Sequence, residues 1–160
     1  MKDLLASKAG SPGFAVGWIQ DCSIHGQFNS GMLVMENKLP TIDNLVHRGL
    51  HLINICVLCC QHSEDIHHLF FLCPFSSKVW IYMAAWLQTT SSTSLDHVIS
   101  WFQDHIRGCS LLSGRKRAGL MATIYFLWKE RNSRIFRGIS SNPESLSFHI
   151  QFVVVKRLSL

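Results

Sequence analysis

The chain has 160 residues, 48% hydrophobic and 16% charged, with a formal net charge of +5. That length and apolar content suit one modest core and exclude an intrinsically disordered chain. The longest strongly apolar stretch, Leu120 to Trp128, is interrupted by Thr123 and falls far short of a bilayer span, and Met1-Lys2-Asp3-Leu4-Leu5 does not open a secretory signal. The expectation is a soluble, intracellular protein, nucleus and cytoplasm not distinguished, whose cysteines stay reduced.

In chain order, residues 1–30 show no helical or strand period and form a poorly defined N-terminal segment. Thr41 is placed to cap a short helix running through Arg48, and Gly49 is placed to stop it. The stretch from Ile53 to Cys59 is expected to be extended and to turn at Cys56-Val57-Leu58-Cys59. Asp65 can cap a short buried helix over residues 66–72, and Pro74 follows directly after Cys73.

This region holds the chemistry. Cys56, Cys59, His68 and Cys73 have the spacing C-x2-C-x8-H-x4-C, four donors within 18 residues. Zinc takes four soft or borderline ligands in a tetrahedron, and Cys3His is a common structural set. A CxxC turn aims two sulfurs at one point, and a histidine and a cysteine five residues apart can close the opposite side. A short helix beside such a turn has little core of its own, so a structural Zn2+ would supply stability. Two other readings of the cysteines stand beside it: inert buried thiols and a redox CxxC, for which the framing βαβ pattern is absent. His68 is the expected ligand, with His67 the nearest substitute; Cys60, adjoining Cys59, is expected to point elsewhere. Four protein ligands leave no open position for a reacting water, so the chain is expected not to be an enzyme.

Pro74 opens a helix to Leu87 with Phe75, Val79, Tyr82, Met83 and Trp86 at helical spacing. Residues 89–94 are a polar linker. Ser94 can cap a helix from Leu95 to Arg107, and a longer helix is expected from Lys116 to Phe136, using Leu120, Ile124, Leu127, Trp128 and Ile135. Asn142-Pro143 opens a last helix ending near Leu158, with Leu146, Ile150, Val153, Val154 and Arg157 on its periodic face. Residues 107–160 hold ten Lys and Arg against two Asp and Glu. Arg115, Lys116, Arg117, Lys129, Arg131, Arg134 and Arg137, interleaved with aromatics, could neutralise the phosphates of RNA or DNA. The alternative is a solvated basic face over an aromatic core.

The ordered motifs Leu39-Pro40-Thr41-Ile42-Asp43-Asn44-Leu45, Arg48-Gly49, Cys56-Val57-Leu58-Cys59, His68-Leu69-Phe70-Phe71-Leu72-Cys73-Pro74-Phe75 and Val79-Trp80 resemble the reverse-transcriptase zinc-binding domain of plant non-LTR (LINE-type) retrotransposons. The likeness covers roughly residues 31 to 87. A fainter one continues at Leu127-Trp128-Lys129-Glu130-Arg131-Asn132, similar to a W-K-E-R-N-x-R-I-F segment of the same proteins. Carried over, the family's metal ligands fall on Cys56, Cys59, His68 and Cys73. The stretch upstream of Leu39 matches poorly, and neither a polymerase palm nor an RNase H-like domain accompanies the motifs, which implies a truncated or remnant copy. The fold expected is mainly α: a small Cys3His zinc-stapled helical domain at 31–88, then, beyond the linker, a basic helical C-terminal region at 95–160. The function expected is a non-catalytic zinc-binding module that contacts nucleic acid or, in the parent protein, a polymerase domain, with no membrane and no small-molecule substrate. A metal-free helical protein-interaction remnant is the alternative.

Overall fold

The computed structural model describes residues 39–89 and 110–159. The segment at 1–30, most of the linker and the helix expected from Leu95 to Arg107 lie outside the described residues. Among those described, the backbone is mainly helical and contains no strand: α1 spans Ile42–His47, a π-helical turn spans His68–Leu72, α2 spans Pro74–Leu87, α3 spans Leu111–Arg137 and α4 spans Pro143–Leu158.

The local signals act largely as the residues dictate. Thr41 caps α1 by accepting from the Asn44 N–H, and Gly49 follows at φ 86°, a left-handed value that glycine adopts without steric penalty. Pro74 sits in the first turn of α2, where its missing N–H costs nothing. Asn142 caps α4 by accepting from the Ser145 N–H at 2.7 Å, with Pro143 next in line. Helix α3 begins at Leu111, five residues before the expected Lys116, because Ser110 accepts from the Ser113 N–H and so caps an extra turn.

Residues 51–56 form no regular element and 57–59 form the turn expected at the CxxC. On α2, Phe75, Val79 and Met83 are buried as expected, but Tyr82 is 42% exposed and Trp86 only partly covered. The inward face instead takes Ser76, Trp80, Ala84 and Leu87. Trp80 faces in because its indole N–H finds the Phe70 carbonyl at 2.6 Å, which removes the penalty for burying a polar group.

Helices α2, α3 and α4 pack against one another, and the π-helical turn packs on α2 and α3. One hydrophobic cluster joins Leu39, Cys56, Leu58, Leu69, Phe70, Val79 and Met83 to Ile124, Leu127, Ile150 and Val154. Gly119 permits the close approach of α3 to α2, since a Cβ there would lie 2.8 Å from Leu87 Cδ2. The cysteine-rich part and the C-terminal helices therefore share a core.

Candidate metal centre

The CxxC turn is the tip of a loop closed across its base. The Cys56 N–H bonds the His62 carbonyl at 2.8 Å, the Cys60 N–H bonds the Cys56 carbonyl at 2.8 Å, and the Glu64 N–H bonds Asn54 Oδ1 at 2.7 Å. Cys60 takes a left-handed φ of 57°, is exposed, and lies near the Val57 carbonyl. It stands outside the cluster that its neighbour Cys59 joins.

The other two donors come from the π-helical turn. Asp65 Oδ1 accepts from the His68 N–H at 2.8 Å and so caps the segment that begins at residue 66. In an α-helix, residues five apart stand about 140° apart around the axis, which would part His68 from Cys73. Here the Cys73 N–H instead bonds the His68 carbonyl at 2.7 Å, the wider closure of a π-turn. That closure brings the two side chains to one side.

A helix end leaves carbonyls without partners, and in a buried segment each must be met. Helix α2 supplies the donors. Ser76 Oγ donates to the Leu69 carbonyl at 2.6 Å, Trp80 Nε1 to the Phe70 carbonyl, and Ser77 Oγ to the Phe71 carbonyl at 2.9 Å. Trp80 also stacks on Phe71, with ring centroids 5.9 Å apart. Three consecutive carbonyls are thus satisfied by one turn and a half of the next helix.

The four donors converge. One ligand atom from each of Cys56, Cys59, His68 and Cys73 lies within 4.8 Å of all the others. Cys59 Sγ is 3.3 Å from His68 Nε2, and Cys56 Sγ is 4.0 Å from Cys73 Sγ. Zinc–sulfur bonds of about 2.3 Å in a tetrahedron place sulfurs about 3.8 Å apart, so the set fits a zinc ion. The sulfurs are too far apart for a disulfide, and all four described cysteines are free. Cys56 and Cys73 are fully buried, His68 nearly so and Cys59 partly, whereas His67 is exposed and outside the cluster.

Burial and mutual hydrogen bonding shift the proton affinities of Cys56, Cys73 and His68. The Cys56 thiol donates to Cys73, and this bond, followed by burial, raises its pKa far above the ordinary thiol range. Accepting the same bond lowers the pKa of Cys73, against the opposing effect of burial. Burial lowers that of His68, which favours the neutral imidazole a metal requires. The centre therefore presents a neutral imidazole together with thiols that a metal must deprotonate.

The basic residues fare differently. Arg131 is 2% exposed, and its guanidinium holds Glu64 through Nε at 3.2 Å and Nη2 at 2.6 Å. Arg134 donates to Glu130 Oε1 at 2.8 Å and to the Leu58 and Ser141 carbonyls, both at 3.0 Å, and lies 4.5 Å from the Phe75 ring. Both belong to the expected phosphate-binding set, and their donors are engaged inside the protein. Arg115 lies over Trp86 and donates to its carbonyl at 3.4 Å, and Lys129 lies over Phe126. Arg115, Lys116 and Arg117 are consecutive on α3 and so fan out about 100° apart rather than forming one strip. Arg137 is exposed.

Sequence reasoning did not single out Glu64. It is fully buried, accepts the Ile42 N–H at 2.9 Å as well as both Arg131 bonds, and thereby caps α1. Nothing in the sequence separates it from its neighbour Asp65, since only the fold brings Arg131 to it from 67 positions away.

The segment that carries this centre has a counterpart among protein families. Residues 12–80 match the family model for zinc-binding in reverse transcriptase. The match ends at Trp80, the residue that holds the π-turn, and the reverse-transcriptase zinc-binding family is a metal-binding module rather than a catalytic domain. Neither the curated proteins nor the solved structures contain a match to the chain. No described helix is long and apolar enough to cross a membrane.

Proposed function

We propose that this chain is a non-catalytic zinc-binding module in which Cys56, Cys59, His68 and Cys73 hold one structural Zn2+, and that it derives from the reverse transcriptase of a plant LINE-type retrotransposon. The observation that carries the metal reading is the mutual approach of all four ligand atoms within 4.8 Å. The family match supports the reverse-transcriptase part, and the ordered motifs from Leu39 to Trp80 support the retrotransposon part. In this reading the working neighbour is a polymerase domain, as the family's description suggests.

Zinc would supply a cross-link between the CxxC loop and the π-turn. The protein's own residues supply the rest: Asp65 starts the segment bearing His68, the π-closure turns Cys73 toward it, and Ser76, Ser77 and Trp80 hold that turn in place. With three thiolates and one imidazole on the ion, no position remains for a reacting water, which is why the role is structural.

Elemental analysis of the purified protein tests this. One zinc per chain is expected in the wild type and none in a Cys56→Ser, Cys73→Ser double variant. A folded wild type without zinc would sink the proposal and favour a metal-free interaction protein.

A further inference from the structure

Helix α3 approaches the CxxC loop at two points. Arg131 and Arg134 are three residues apart and therefore share a face of the helix. Arg131 grips Glu64, which lies in sequence between Cys59 and His68, and the same carboxylate takes the Ile42 N–H. Arg134 reaches the Leu58 carbonyl, inside the Cys56-Val57-Leu58-Cys59 turn itself. Its other donors go to Glu130 and to Ser141, and Glu130 Oε1 also accepts the Ser141 N–H at 2.8 Å. The guanidinium is thus fixed in orientation from three sides, with Phe75 below it. Phe75 belongs to the first turn of α2, two residues after Cys73.

We infer that Arg134 is a positioning residue for the metal centre, holding the CxxC turn in ligand geometry through the Leu58 carbonyl while Arg131 anchors the same loop through Glu64. The inference rests on the zinc reading above and adds to it that the metal-binding unit extends past Trp80 into α3. A carbonyl between two ligand cysteines is held more firmly when a donor outside the turn bonds it, and a planar fork with three separate acceptors does this better than a point charge. Partners that orient first ligands affect metal affinity by about 10- to 100-fold in known sites.

The test uses the full chain with Arg134→Met, which keeps the stem over Phe75 and removes the donors, and Arg134→Lys, which keeps one charged donor. Zinc affinity is read by competition with a chelator of known strength, and ligand geometry by the visible absorption of the Co2+-substituted protein. The expected result is at least about tenfold weaker zinc binding for the Met variant, an altered cobalt spectrum, and partial recovery of both with Lys. Unchanged affinity and spectrum in a folded Met variant would overturn the positioning role while leaving the zinc centre standing. If the Met variant loses its helical signal, the Lys variant decides: wild-type affinity and spectrum overturn the role, and intermediate values support it. A wild type that binds neither metal overturns both the role and the zinc reading.

Discussion

Arg131 and Glu64 show what a charge can do once it leaves water. At 3% and 0% side-chain exposure, each would be costly alone, and their two-point contact is what makes burial tolerable. Arg131→Met should destabilise the fold by about 3–5 kcal/mol, because it leaves the Glu64 carboxylate uncompensated. Denaturant midpoints would read this, and a change within about 0.5 kcal/mol would show the pair to be dispensable. Adding Glu64→Leu should recover only part of the loss, since the Ile42 N–H then lacks its acceptor. The thiols give a second expectation at this scale. Cys56 holds its proton tightly in the metal-free protein, so zinc must displace it, and acid also protonates His68. Protons compete with zinc at every ligand, so affinity should rise as pH increases from about 6 to about 8. Calorimetry in buffers of different ionisation enthalpy would detect the released protons, and a pH-independent Kd would contradict the thiolate ligand set.

The π-helical turn is the element on which the site depends. It lets a histidine and a cysteine five residues apart share one side, and it survives because α2 donates to the three carbonyls from Leu69 to Phe71. Trp80→Phe keeps an aromatic ring against Phe71 but leaves the Phe70 carbonyl buried without its donor. The expected cost is about 1–3 kcal/mol in unfolding free energy, together with weaker zinc binding, as the turn relaxes. Ser76→Ala removes the neighbouring donor and should act in the same direction. A Trp80→Phe protein with wild-type stability would mean that the carbonyl finds another partner.

On the scale of the whole molecule, the core runs from Leu39 through the π-turn and α2 into α3 and α4. A metal held by the four donors would therefore stabilise the same folded state as the core. A ligand at about a thousand times its Kd adds about 4 kcal/mol to a fold that alone binds it. Chelation should accordingly lower Tm and do so for the C-terminal helices as well as the loop, as amide exchange in α3 would report. Protection in α3 that ignored the metal would separate the two parts. The apolar side chains Phe148, Phe152 and Val155 remain exposed along α4.

Several features were readable from local chemistry. Thr41, Asp65 and Asn142 cap their helices because a short side-chain oxygen reaches an N–H two or three residues on, a contact that needs no tertiary partner. Pro74 and Pro143 start helices through a fixed φ and a missing N–H that the first turn does not need, which is local as well. The ligand spacing placed four donors within 18 residues, so chain connectivity limits how far apart they can lie. Tertiary structure decided what depends on long-range contact. It selected the π-closure after His68, turned Trp80 rather than Tyr82 inward, and buried Arg131 and Arg134 against Glu64 and the Leu58 carbonyl. In sequence these arginines belong to a basic run that suits a phosphate backbone. A guanidinium binds a carboxylate, a carbonyl or a phosphate with the same fork, and only the partner that folding brings within reach settles which.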